Sequence, residues 1–320
     1  MRRPLVSIII PCYNSESFVA DAIQCSLDQT YQSCEIIVID DGSTDRSAEI
    51  IESFGERIQH VSSSNKGGCS ARNLGFEKAM GSFIQFLDSD DLLAPDKIDL
   101  QVKALENSSS TLATCPYLPF SGSTKPTIFD IDRTPLIDSS DPTDWLISKL
   151  HTGSSKATMP HCFLTPRELI EKAGPWDESL CFNQDGEFFA RVLLSAKCIQ
   201  FVPNTKTYYR RDSQSSISKG RTSKHIQSWL KSAKSIERNL LENRNTTEAK
   251  AALRQCYLNI IHTFYPEFPD ELAKSESAIH NLGFEELGET GGRTFRILCK
   301  LLGFKSALKF REALSPKNKR

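Results

Sequence analysis

No uninterrupted apolar run in the chain reaches the roughly 18 residues that a membrane-spanning helix needs, so no transmembrane segment is expected. The run Leu5 to Ile10, after Met1-Arg2-Arg3-Pro4, is too short for a signal-peptide core, and no cleavage-like site follows it. An excess of one charge sign is missing as well. Lys and Arg number 39 against 40 Asp and Glu, a formal net charge of −1, so no global field points to nucleic acid. C-x-x-C pairs are absent: the 10 cysteines scatter from Cys12 to Cys299, several beside apolar runs, and read as reduced thiols of a cytoplasmic protein. The turn Pro11-Cys12-Tyr13-Asn14-Ser15-Glu16 contains no glycine, which excludes the G-x-G-x-x-G turn of a dinucleotide-dependent oxidoreductase. There is no internal repeat. The 320 residues suffice for one large domain, or for one domain with an appendage.

What is present is an alternation of short apolar runs and helical periodicity. Leu5 to Ile10 is β-branched and continuous, as a parallel strand buried on both faces should be. Phe18, Val19, Ala22, Ile23 and Leu27 follow at helical spacing, with Ser15 as the expected N-cap. A second strand, Glu35 to Ile39, ends in Asp40-Asp41-Gly42-Ser43-Thr44-Asp45, before a helix carrying Ile50 and Ile51. A weaker strand is expected over Arg57 to Val61. Next, Asn65-Lys66-Gly67-Gly68-Cys69-Ser70-Ala71-Arg72-Asn73 runs into a helix through about Met80. Such a loop lets backbone N–H groups approach a phosphate, with Lys66 and Arg72 supplying charge; a plain turn with solvated basic residues is the other reading.

Phe83 to Leu87 reads as a buried strand that ends in Asp88-Ser89-Asp90-Asp91. In an open α/β sheet, side chains at this strand end face a ligand crevice. Carboxylates one residue apart can reach one hard cation that keeps waters and binds substrate phosphates, as Mg²⁺ does. The alternative is that Asp90 or Asp91 caps the helix from Pro95 to about Glu106. Thr111 to Cys115 is expected as a strand, residues 119–142 as a long polar connection, Asp144 to Leu150 as a helix, Met159 to Leu164 as a strand, and Pro166 to Lys172 as a helix. After Gly174-Pro175-Trp176-Asp177-Glu178, the stretch Asn183-Gln184-Asp185-Gly186-Glu187 opens a strongly apolar helix, where Asp185 and Glu187 suit the helix dipole. Ile199 to Val202 and Thr207 to Tyr209 look like closing strands.

Beyond about Gly220 only helices are expected: Ile226 to Glu242, Glu248 to Phe264, a broken acidic stretch from Pro266 to Glu289, and a basic amphipathic segment from Phe295 to Phe310. That last segment can lie on an anionic membrane surface at the inner leaflet. It can equally pack its apolar stripe on the rest of the chain while its lysines snorkel outward.

The order of these motifs carries more than any one of them. A strand ending in Pro-Cys-Tyr-Asn, a second ending in Asp-Asp-Gly-Ser, a loop Asn-x-Gly-Gly-x-x-Ala-Arg-Asn-x-Gly and a strand ending in Asp-Ser-Asp-Asp resemble family 2 glycosyltransferases of the GT-A fold. The resemblance covers roughly Leu5 to Ser216. It implies an α/β, Rossmann-like, mostly parallel sheet flanked by helices, with a helical C-terminal extension: a catalytic domain at 1–220 and a helical region at 221–320. It also implies a nucleotide-sugar donor, inversion at the anomeric carbon, Mg²⁺ or Mn²⁺, and a glycan or lipid-linked acceptor in polysaccharide or glycolipid synthesis.

Carried over residue by residue, Pro11, Tyr13, Asp41, Gly68, Arg72, Asp88 and Ser89 fall at the donor site. Asp90, with Asp88, matches the metal-binding Asp-x-Asp, and Asp185 matches the catalytic base; Asp91 is left to cap the following helix. Gln184 stands where the family often has an acid, which keeps Glu187 open as the base. Apart from this carry-over, the polar connection with Trp145 and His151 is expected to shape the acceptor side; the other reading makes Trp145 a core residue and His151 a solvated one. The Gln-x-x-Arg-Trp signature of processive members is missing, which favours single additions. The rivals are an inactive nucleotide-sugar-binding scaffold of the same fold and a sugar-phosphate nucleotidyltransferase, whose Gly-rich basic loop is absent after the first strand.

Overall fold

The computed structural model describes residues 3–106, 108–122, 138–152, 159–211 and 220–314. In chain order the elements are β1 (Val6–Cys12), α1 (Val19–Leu27), β2 (Cys34–Asp40), α2 (Ser47–Glu52), β3 (Gln59–Ser62), α3 (Gly68–Lys78), β4 (Phe83–Phe86), β5 (Leu92–Leu93), α4 (Lys97–Leu105), β6 (Thr111–Thr114) and β7 (Tyr117–Phe120). They continue with α5 (Pro142–Thr152), β8 (Thr165–Pro166), α6 (Arg167–Ala173), α7 (Gln184–Ser195), β9 (Cys198–Phe201), β10 (Thr207–Arg210), α8 (Ser223–Asn243), α9 (Thr247–Phe264), α10 (Pro269–Asn281), α11 (Arg293–Leu302) and α12 (Phe304–Leu314). Two compact units result: Met1–Pro142 with Lys156–Ser216, and Thr143–Ser155 with Ile217–Arg320.

In the first unit the main sheet runs β3-β2-β1-β4-β8, parallel except for β8 at the edge. The apolar runs of β1 and β4 are buried along nearly their whole length, which is why they carry no polar alternation. The chain winds outward from β1 through β2 to β3 and then returns to β4 on the other side of β1. The reversal between β1 and β4 leaves a crevice at their carboxyl ends, where open α/β sheets bind ligands. Two smaller sheets, β5-β10-β7 and β6-β9, complete this unit.

Helix α3 lies tight against the sheet because of one glycine. A Cβ on Gly75 would stand 2.3 Å from Cγ2 of Ile9, a fully buried residue of β1. The second unit is helical: Thr246 caps α9 through a hydrogen bond from the Ala249 N–H, and Tyr257, Leu258, Ile261 and Phe264 of that helix are buried.

Several local expectations are corrected. Ser15 does not cap α1 with its side chain; the helix starts at Val19, and the Ser15 carbonyl accepts the N–H groups of Phe18 and Val19. Met159 to Leu164 is not a strand, because Pro160 lacks a ladder donor; Pro160–Cys162 forms a 3-10 turn and only Leu164 bridges to Ala113. The acidic stretch after Pro266 contains the regular helix α10, with proline in its first turn. The segment from Phe295 to Phe310 is two helices, divided at Gly303, whose φ of +76° ends α11. Most of the polar connection 119–142, and the run after Arg211, lie outside the described residues.

Gly75→Ala sets a propensity gain of about 1 kcal/mol against an overpacking cost of about 1–3 kcal/mol in a strand that cannot yield. The expected net result is a loss of up to about 2 kcal/mol, read as a lower urea midpoint at unchanged slope.

Candidate functional site

The crevice is lined first by the ends of β1 and β2. Asn14, in the left-handed region at φ +49°, accepts the Thr44 N–H on its side-chain oxygen at 2.8 Å and donates its own N–H to the Ser43 hydroxyl at 3.0 Å. The two strand-end loops are thereby tied together. Pro11 is half-buried at the end of β1, and Tyr13 is 48 % exposed. Asp41 is buried and spends its carboxylate on the loop before α3: Oδ1 accepts from the Ser63 hydroxyl and the Lys66 N–H, and Oδ2 from the Gly67 N–H at 2.7 Å. Gly42 allows that approach, since a Cβ there would meet the Asn65 nitrogen at 2.8 Å. Gly67 precedes α3 at φ +96° and offers no side-chain cap, so the first N–H groups of the helix remain available to a ligand.

One turn into α3 stands Arg72, 4 % exposed. Its Nη2 donates to Asp88 Oδ1 at 2.6 Å and lies 4.0 Å from Asp185 Oδ1. Its guanidinium carbon sits 4.7 Å from the centroid of the Trp176 ring, which itself stacks on Phe188 of α7 at 3.9 Å. Nε and Nη1 of the same guanidinium are buried and have no hydrogen-bond partner among the described residues. Gly68 leaves the room for it: a Cβ there would be 3.1 Å from Nη1. Asn73, the next residue, holds the Trp176 backbone at both polar groups, donating to its carbonyl at 3.0 Å and accepting its N–H at 2.9 Å. Burial disfavours the Arg72 cation, but Asp88 and Asp185 outweigh it and hold the group firmly protonated.

Asp185 lies in the first turn of α7, after Asn183 in the left-handed region. Its side chain is 37 % exposed, so a substrate can reach it, although Oδ1 is buried without a hydrogen-bond partner among the described residues. Burial pushes its pKa up to about 6; Arg72 pulls it down and Asp88 adds to the rise. Glu187 is engaged elsewhere: it is 2 % exposed, and both its oxygens accept from Arg191, each at 2.8 Å. Gln184, in the place of the frequent acid, accepts from the Cys69 thiol at 3.1 Å, and burial keeps that thiol neutral, at about 12.

The Asp88–Asp91 turn is fixed from beneath. Ser89 is buried against the Ser15 hydroxyl at 2.8 Å. Asp91 is not the cap of α4, whose N-cap is Asp96. It is 1 % exposed, meets His161 Nδ1 at 2.7 Å through Oδ2, off the hydrogen-bond axis, and accepts the Arg210 N–H on Oδ1 at 2.9 Å. Arg210 Nε also donates to the Asp90 carbonyl at 2.9 Å. Burial alone would lower the His161 pKa, but the Asp91 carboxylate beside it raises it well above the usual value. The Tyr209 ring stacks on the imidazole at 6.2 Å.

A family model described as glycosyl transferase family 2 matches residues 7–173. The chain belongs to that family. It is 47 % identical over 106 residues to an uncharacterised glycosyltransferase of Haemophilus influenzae, covering 32 % of this chain and 42 % of that protein. It is 29 % identical over 217 residues to the uncharacterised glycosyltransferase EpsJ of Bacillus subtilis, covering 66 % and 62 %. It thus spans less than two thirds of the length of these relatives. Its fold matches the 1–349 part of S. aureus TarS, solved in complex with UDP-GlcNAc, at a TM-score of 0.63 and 16 % identity over 97 % of this chain and 92 % of that one. The first unit is accordingly a GT-A fold.

For a member of this family, the donor set suits a hard ion. Among the described residues no three of His, Cys, Asp and Glu form a closed metal cage. Asp88 and Asp90 offer carboxylates two residues apart on one turn, the pair that such an ion uses when substrate phosphates and water complete its shell. The residues that sequence reasoning missed are His161 and Trp176. Trp176 stood in a turn already noted, whereas His161 lay in a stretch read as strand. Trp145 is buried and His151 exposed on α5, which belongs to the second unit.

His161→Ala would leave Asp91 buried and unpaired, and is expected to cost about 3–5 kcal/mol in urea unfolding. Combined with Asp91→Asn it should cost clearly less than the sum of the two single changes, since the two groups answer each other.

Proposed function

We propose that the chain transfers a sugar from a nucleoside-diphosphate donor to an acceptor hydroxyl with inversion at the anomeric carbon. One observation carries this reading: Arg72 is buried between Asp88 and Asp185 beside an uncapped helix N-terminus, with two guanidinium nitrogens that have no hydrogen-bond partner among the described residues. A buried cation with unused donors suits a ligand of several negative oxygens, such as a diphosphate. Arg72 and the first N–H groups of α3 would stabilise the charge that develops on the leaving diphosphate.

Asp88 and Asp90 would hold Mg²⁺ or Mn²⁺, which when bound supplies further charge neutralisation on that leaving group. Asp41 retains lone-pair capacity on Oδ2 for a base N–H, while its other bonds fix the loop that presents α3. Pro11 and Tyr13 flank the nucleotide. That the S. aureus TarS structures contain UDP-GlcNAc and UDP supports a donor of this class.

Asp185 takes the proton of the attacking hydroxyl. It is the first-turn carboxylate of α7 that is not tied up by an arginine of its own helix, which favours it over Glu187. Its raised pKa makes it a stronger base than an ordinary carboxylate while leaving it ionised at neutral pH. The acceptor is a glycan or lipid-linked hydroxyl, in polysaccharide or glycolipid synthesis on the cytoplasmic side. No described helix is long and apolar enough to cross a membrane.

Asp185→Asn is expected to lower turnover at least about 100-fold with donor affinity within about twofold, read as nucleotide release across a panel of UDP-, GDP- and TDP-sugars. Near-normal transfer by that variant would remove Asp185 as the base. Asp90→Ala should abolish chelator-sensitive turnover and weaken donor binding. For the wild type, kcat/KM should fall as pH drops through about 6, because protonation removes the base. A profile flat from pH 5 to 8 would contradict the assignment.

A further inference from the structure

Helices α11 and α12 lie within the second unit, and none of their residues is among those assigned to the transferase site above. Their apolar residues form two sets. Phe295, Cys299, Phe304, Ala307 and Leu308 are buried. Phe295 packs against His262 of α9 at 4.8 Å and against Phe304 at 6.1 Å, and Arg311 donates to the His262 carbonyl at 2.9 Å. These contacts account for the attachment of the two helices to their own unit.

The second set is left over. Ile297 is 50 % exposed, Leu301 74 %, Leu302 47 %, Phe310 44 % and Leu314 68 %. They are five of the seven large hydrophobic side chains exposed among the described residues. Ile297 with Leu301, and Phe310 with Leu314, are each four residues apart, so each pair shares a helix face. A cluster of this kind marks an interaction surface.

The charge beside it says what kind. From residue 293 to 314 there are six basic residues, Arg293, Arg296, Lys300, Lys305, Lys309 and Arg311, against the single acid Glu312, in a chain whose net charge is −1. Arg293, Arg296 and Lys300 line one groove of about 480 Å³ with Ile297 and the acid Glu289. Lys300 and Lys305 do meet Glu289 at 3.7 Å and Glu276 at 2.7 Å, but both lysines stay well exposed, and such pairs hold little of their charge. A symmetric second copy would set this positive face against itself, whereas anionic headgroups would neutralise it and take the apolar side chains below their own level.

We propose that the α11–α12 face docks on an anionic lipid surface, with Ile297, Leu301 and Phe310 entering the headgroup–acyl boundary and the flanking basic residues meeting lipid phosphates. The inference stands apart from the transferase reading. It is tested by co-sedimentation of the full chain with phosphatidylcholine vesicles, with and without phosphatidylglycerol. The wild type should sediment with the anionic vesicles, less so at high salt, and hardly with the neutral ones.

The triple variant Ile297→Ser, Leu301→Ser, Phe310→Ser should lower partitioning about tenfold or more, with an unchanged circular dichroism spectrum because all three side chains are exposed. A charge variant, Arg293→Glu with Lys309→Glu, should lose the preference for phosphatidylglycerol. Three results would overturn the proposal: no sedimentation of the wild type with anionic vesicles, equal sedimentation of the triple variant, or a wild-type dimer in sedimentation velocity that the triple variant abolishes, which would assign the face to a second copy.

Discussion

A buried guanidinium is the constraint on which the site depends. Removing Arg72 from water is tolerable only because Asp88 lies at 2.6 Å, Asp185 at 4.0 Å and the Trp176 ring beneath it. Each of these partners is itself fixed by another element. Asp88 comes from the end of β4, Trp176 is held by Asn73 and by its stack on Phe188, and Asp185 rides on the first turn of α7. The cation therefore gathers three distant segments around one point. Two of its nitrogens have no hydrogen-bond partner among the described residues, so the guanidinium keeps donors for the proposed diphosphate.

The same logic separates two acids that look alike in sequence. Asp185 and Glu187 sit two residues apart in one helix turn. Glu187 turns to Arg191 and becomes part of the helix's own scaffolding, whereas Asp185 faces Arg72 and keeps an open side and a raised pKa. Likewise Asp90 and Asp91 are neighbours with different surroundings: Asp91 is buried on His161, and Asp90 stays half-buried on the turn, where it is proposed to meet the ion. Burial and partner geometry, not residue type, assign the roles.

Much of this was legible in the chain because it is local. Continuous β-branched runs mark β1 and β2, and the order of the strand-end motifs by itself points Asp41, Arg72 and Asp88 toward one crevice. What was illegible depends on contacts far apart in sequence. His161 meets Asp91 from 70 positions further along the chain and lies in a turn that has no periodicity to announce it. The role of Asn73 needs the Trp176 backbone, which only the folded chain delivers. Gly303 reads as one more residue in a long amphipathic pattern, and its positive φ, which ends α11 and splits the pattern into two helices, has no counterpart in that periodicity. Ser15 had the right chemistry for a cap but a nearer partner in Ser89.

The central claim is that the free face of Arg72 receives a diphosphate. Calorimetric titration of UDP and of uridine, each with Mn²⁺, into the wild type and into Arg72→Lys tests it most directly, because lysine keeps the charge near Asp88 but cannot present the planar fork. The account predicts that UDP binding weakens by about 1.5–3 kcal/mol in the variant while uridine binding is unchanged. Equal UDP affinity for the two proteins, or an equal loss for uridine and UDP, would contradict it.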